Sequence, residues 1–99
     1  LKRNLSEFRF GNRSPQDLQL VIEVADTSLG FDRTTRAALY ARACITDYWV
    51  LDIASRRMIV HRDPQAGRYT SIAAYSSDES VAPLAAPDSL LRIADAFLD

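Results

Sequence analysis

Glu23 is the residue of this sequence that most needs a chemical explanation. It stands near the end of an otherwise apolar run, LVIEV, where a carboxylate must be desolvated, exposed at a rim or bound to a cation. Asp26 and Asp32 follow within nine residues, and Arg36 lies one helical turn beyond Asp32. Carboxylate oxygens hold Mg²⁺, and a neighbouring cation can steady the charge that builds on a phosphate during hydrolysis. The same residues also have a plainer use. Glu23 can be a rim glutamate paired with a surface arginine, and Asp32 with Arg36 can be an i,i+4 ion pair worth ~0.3–0.5 kcal/mol. Spacing alone does not separate the two uses.

Other chemistries are set aside by what the chain lacks. His61 lies in the strand pattern MIVHR with no Cys or second His nearby, so neither a zinc site nor a serine triad is indicated, and a half-exposed strand histidine is expected. Three glycines, none in a G-x-G-x-x-G or Walker spacing, supply no phosphate-cradling loop. Cys44, the single cysteine, has no base beside it in sequence and reads as a small packed thiol in ALYARACI.

The elements that must position Glu23 follow from periodicity. DLQLVIEV puts Leu18, Leu20, Ile22 and Val24 on one face and Asp17, Gln19, Val21 and Glu23 on the other, a strand whose apolar end suits a sheet covered on both sides. DRTTRAALYARA predicts a helix capped by Asp32 and ending near Ala43 or Cys44, with Asp32, Arg36 and Tyr40 in line. ITDYWVLDI predicts a second strand, and the three elements form a βαβ-like unit. MIVHR and RYTSIAAY predict two further strands, joined by a turn marked by Asp63, Pro64 and Gly67. LLRIADAFL predicts a short terminal helix, and the first sixteen residues, with Gly11, Asn12, Ser14 and Pro15, predict a connector. The fold class expected is α/β, or α+β in the stricter sense, with a mixed sheet.

Composition sets the outer bounds. Ninety-nine residues, 47% hydrophobic and 25% charged, fit one domain. Twelve Lys+Arg against thirteen Asp+Glu give a formal charge of −1, which names no partner by itself. No apolar stretch approaches the ~18–20 residues of a membrane span, and with one cysteine the expected location is the cytoplasm.

The segment from Asp17 to Leu98 resembles the Uma-two family of restriction-endonuclease-like proteins, within the PD-(D/E)XK superfamily. The resemblance rests on LVIEV followed by ADTSL, on Asp32, Arg36 and Tyr40 with ALYARA, and on DYWVLD with an arginine-bearing hairpin after it. It implies a Mg²⁺-dependent DNA endonuclease with a restriction-endonuclease-like core. Glu23 matches the metal-binding acid on the second strand of that motif. The motif's usual lysine position holds Ala25, and Arg36 takes the place of a lysine that relatives carry on the helix. Arginine keeps the charge but cannot act as a base. The resemblance thus implies Glu23 as metal ligand, Arg36 as the group that neutralises phosphate charge, and Asp32 as the residue that positions Arg36 or the metal's water.

The family's other acid sits on a Pro-Asp strand before the connector, and no such strand is read here. Asp17 is no substitute, since on the strand of Glu23 it lies ~20 Å away along an extended chain. Residues 1–99 are therefore expected to be the C-terminal part of a longer nuclease domain, with its site incomplete. The alternative is a non-catalytic module of the same fold that binds nucleic acid or a partner protein. Arg33, Arg36, Arg42, Arg56 and Arg57 would be its phosphate-binding patch, and a homodimer through Tyr48, Trp49 or the hairpin is possible.

Overall fold

The computed structural model of the chain describes residues 7–10, 20–26 and 32–97. Five strands form one mixed sheet in the order β1-β2-β3-β4-β5: β1 (Glu7–Phe10), β2 (Leu20–Ala25), β3 (Asp47–Asp52), β4 (Arg57–Gln65) and β5 (Arg68–Tyr75). β2 and β3 run parallel, joined across the helix α1 (Arg33–Arg42), and every other neighbour pair is antiparallel. The α+β class and mixed sheet expected from the sequence are what the chain forms. Among the described residues, no helix is long and apolar enough to cross a membrane.

Period-two alternation assigns the two faces of the sheet. Leu20, Trp49, Leu51, Met58 and Val60 pack with Val81 and Ile93 of the C-terminal segment on one side. Val21, Tyr48, Val50, Ile59 and Tyr69 pack with Ala41 and Ile45 under α1 on the other. β2 is thus covered on both faces, as its continuous apolar run requires. Glu23 alternates with Ile22 and Val24 and therefore faces the helix.

Four readings are corrected. The connector expected over the first sixteen residues is interrupted by β1, which pairs antiparallel with β2. EFRF alternates charged and apolar residues at period two, but over only four residues before the Gly11–Pro15 cluster, and its pairing with β2 is what establishes it as a strand. The hairpin turn is Ala66 and Gly67, both at positive φ (53° and 79°), while Asp63 and Pro64 belong to β4. Two central residues at positive φ match the right-handed strand twist, and Arg42 packs where a Cβ on Gly67 would intrude, at 3.3 Å. The C-terminal LLRIADAFL splits into β7 (Leu91–Arg92), paired with β6 (Ser80–Val81), and a 3₁₀ helix, Ile93–Phe97.

The fourth correction is Cys44, which is exposed rather than packed and adopts φ 61°. It closes α1 with two bonds: the Cys44 N–H donates to the Ala41 carbonyl at 3.0 Å and the Ile45 N–H to the Tyr40 carbonyl at 3.1 Å. This is the Schellman arrangement, in which the left-handed residue is usually glycine. A side chain there crowds the following carbonyl. Cys44→Gly is expected to stabilise the fold by about 1 kcal/mol, read as a rise in Tm of about 4–8 °C in thermal unfolding.

Candidate functional site

β2, α1 and β3 converge on the carboxylate of Glu23. Strand alternation aims Glu23 at α1, and the parallel register sets Glu23 beside Val50, two residues past the Val21–Tyr48 pair and on the same face. On α1, Arg36 and Tyr40 are one turn apart and share the face turned to the sheet. The Arg36 Nε donates to Glu23 Oε1 at 2.7 Å and its Nη2 to Oε2 at 2.5 Å, a bidentate fork. The Tyr40 hydroxyl donates to Oε2 at 2.7 Å, and the Tyr48 hydroxyl donates to Oε1 at 3.0 Å. Glu23 is 0% exposed, whereas the Arg36 side chain is 39% exposed and keeps one side in water.

Burial alone would push the Glu23 carboxyl up. The hydrogen bonds from Arg36, Tyr40 and Tyr48, with the guanidinium charge, outweigh it and hold the group below the usual glutamate range. Glu23 in turn raises Arg36. Tyr48 is raised by its burial and by the adjacent Glu23 charge, so it remains a hydroxyl donor. His61 lies beside this cluster, its ring 4.8 Å from that of Tyr48 and 5.5 Å from that of Tyr69. It is buried, not half-exposed as the strand pattern suggested, because α1 covers its end of β4. Its Nδ1 lies 3.0 Å from the Tyr48 carbonyl, so Nδ1 carries the proton. Burial, with the charge of Arg33, holds the imidazole below its ordinary range.

The donor set decides whether Glu23 suits Mg²⁺. An ionised carboxylate offers about four lone-pair directions, and Arg36 Nε, Arg36 Nη2, Tyr40 and Tyr48 occupy all of them. A hard cation needs one of those directions free. As arranged, Glu23 has no free lone-pair direction for such a cation and does not fit it. Among the described residues, no three His, Cys, Asp or Glu side chains cluster as a metal site. The arginine itself causes the mismatch: its planar fork takes both oxygens, where an ammonium would make a single point contact.

The other predicted site residue, Asp32, is occupied locally. Its carboxylate accepts the Thr35 N–H at 3.2 Å and the Thr35 hydroxyl at 2.9 Å, capping α1. The arginines expected as one patch are dispersed. Arg56 lies 4.4 Å over the Phe97 ring, Arg42 packs on Gly67, and Arg36 holds Glu23. Arg33 and Arg57 remain together, lining an open cleft of about 430 Å³ with Ala25, Asp52, Ile59 and Ala74. The cleft lies at the carboxyl ends of β2 and β3, beside the first turn of α1, the usual ligand-binding position of a parallel strand pair.

Two features escaped the sequence reading. Asp47, read only as part of an aromatic strand, is fully buried and accepts from Trp49 Nε1 at 2.6 Å, Arg62 Nε at 2.9 Å and the Leu84 N–H at 2.8 Å. It ties the C-terminal segment to β3 and β4, and the acid at the head of DYW was its signal. The second is the register of β1, which sets Glu7 opposite Glu23. β1 thus brings an acid from before the connector to the register position opposite Glu23.

A model of the Uma2 family, described as "Putative restriction endonuclease", matches residues 2–94. No curated protein and no solved structure match.

Removing one partner from the carboxylate cluster leaves a buried charge short of donors. Arg36→Ala is expected to cost about 2 kcal/mol in urea unfolding, toward the lower end of the range for buried pairs because Arg36 is partly solvated. The two depressed groups act in different pH windows. His61 binds fewer protons folded than unfolded, so stability is full above about pH 6.5 and declines as pH falls below it. Glu23 contributes above its ordinary value near 4.5 and its share is lost as pH falls below that. His61→Gln is expected to flatten the Tm-versus-pH slope between neutral and mildly acidic pH while leaving the steeper loss at lower pH in place.

Proposed function

Because the chain belongs to the Uma2 family of nuclease-like proteins, we propose that it is a nuclease-fold module that binds DNA through the Arg33–Arg57 cleft without cutting it by way of Glu23. The saturation of Glu23 by four donors carries this reading. In a metal-dependent phosphodiesterase the acid must offer oxygen to the cation. Here the same acid is spent on joining α1 to the sheet. Arg33 and Arg57 are exposed at the cleft mouth, and guanidinium groups suit bidentate contact with phosphate oxygens.

A second reading keeps Mg²⁺-dependent endonuclease activity, and the Glu7–Glu23 register favours it. That register brings a second acidic residue to the strand beside Glu23, and hard cations take carboxylate oxygen. It requires Arg36 to release Glu23 when DNA and metal arrive. Under that reading Glu23 would be a ligand, Arg36 would neutralise phosphate charge, and the bound cation would supply an activated water and charge stabilisation.

One set of measurements separates them. Calorimetry with Mn²⁺ and cleavage of supercoiled plasmid in Mg²⁺ should both be blank for the native sequence. DNA binding followed by fluorescence anisotropy should weaken with salt, and Arg57→Ala should lower the log–log salt slope by about 1. Arg36→Lys frees part of the carboxylate and is expected to introduce saturable Mn²⁺ binding. Cleavage by the native chain that disappears in Glu23→Gln would establish the second reading, and absence of salt-dependent DNA binding would sink the first.

A further inference from the structure

The two edges of the sheet differ in a way that bears on assembly. β1 places Glu7 and Arg9 in its four residues, and charge is one of the usual means by which an edge strand avoids pairing with another chain. β5 has no such protection: from Tyr69 to Tyr75 it bears no charged residue and no proline. Every residue from Thr70 to Ala74 is exposed. Ile72 at the middle is 56% exposed, on a strand that among the described residues has a neighbour on only one side. A row of unpaired backbone N–H and C=O groups on a neutral, apolar strand is a template for another strand.

We infer that β5 pairs antiparallel with β5 of a second copy of this chain, about a two-fold axis perpendicular to the sheet and centred on Ile72. Such an axis sets one residue opposite itself and every other residue opposite its reflection. Centred on Ile72, it sets Tyr69 opposite the partner's Tyr75, Thr70 opposite the partner's Ala74, and Ser71 opposite the partner's Ala73. Aromatic meets aromatic, small meets small, and no like charges are opposed. Centring within the strand keeps the paired residues inside Arg68–Tyr75. The product is one continuous sheet of twice five strands.

The symmetry has a consequence for the cleft. A two-fold perpendicular to the sheet leaves both copies of α1 on the same face, so both Arg33–Arg57 clefts open to one side. Paired clefts of this kind suit a ligand with its own two-fold, as duplex DNA has. This consequence rests on the DNA reading given above, whereas the dimer itself does not.

Light scattering coupled to size exclusion should give twice the 11.1 kDa chain mass for the native protein. Ile72→Lys, which sets two ammonium groups opposite each other, should give a monomer with unchanged circular dichroism. Leu90→Lys, at an exposed position off the strand, should remain a dimer. Register is read by cysteine substitution in a Cys44→Ser background. Residues facing each other across antiparallel strands have Cα atoms about 4.5–5.5 Å apart, within disulfide range. Ile72→Cys should therefore cross-link with itself under mild oxidation and Leu90→Cys should not. A native monomer at high micromolar concentration, or a dimer that survives Ile72→Lys, would overturn the inference. Failure of DNA binding in an intact dimer would count against the cleft reading alone.

Discussion

The buried carboxylate of Glu23 is the constraint around which the α1 side of the molecule is arranged. A fully desolvated carboxylate is tolerable only when its lone pairs are met by donors and its charge by a cation. The donors come from three side chains on two elements: Arg36 and Tyr40 on the helix, and Tyr48 on the neighbouring parallel strand. Meeting them fixes the rotation of α1, because only one helical face carries residues 36 and 40. It also fixes its height on the sheet, because Tyr48 and Tyr40 must reach the same group, with ring centroids 4.9 Å apart. The apolar contacts of Ala37, Ala41 and Ile45 then fill in around a position that the polar contacts have selected.

The opposite face repeats the device. Asp47, equally buried, gathers Trp49, Arg62 and the backbone of Leu84, and Arg62 also donates to the Ala82 carbonyl at 2.7 Å. The C-terminal segment has little regular structure with which to anchor itself, and this acid supplies directional contacts in addition to the packing of Val81 and Ile93. In a chain of this length, where burial of apolar surface is limited, two carboxylate–guanidinium pairs give specificity to helix and tail placement that apolar contacts alone leave loose. Among the described residues, no buried side-chain nitrogen or oxygen lacks a partner.

This economy has a functional side. A lysine in place of Arg36 would contact Glu23 through one nitrogen, leaving oxygen available to a cation; the guanidinium plane closes both positions at once. Structural and catalytic uses of one carboxylate compete for the same lone pairs. In the arrangement seen here the structural use holds them, and the open polar groups of the α1 face are displaced to the cleft between Arg33 and Arg57.

Much of the frame was legible in the chain itself. The alternation of Leu20 to Val24, the Asp32 cap and the helical spacing of Arg36 with Tyr40 named three elements and their inward faces, because these are local properties of backbone period and capping. β1 was passed over although Glu7, Phe8, Arg9 and Phe10 alternate charged with apolar, because four residues give too short a period to outweigh the turn-forming residues after them, and pairing with β2 is what makes them a strand. The exposure of Cys44 and the burial of His61 were misread for one reason: whether a residue at the end of a helix or in a half-covered strand meets solvent depends on where α1 ends and what it covers. Likewise the sequence by itself determined that Glu23 is a carboxylate set in an apolar strand, and that Arg36 and Tyr40 share a helix face. Only the tertiary structure decided that all four lone pairs of that carboxylate are taken and that Glu7 stands opposite it. Hydrogen-bond saturation and strand register are relations between residues distant in the chain, and no local period encodes them.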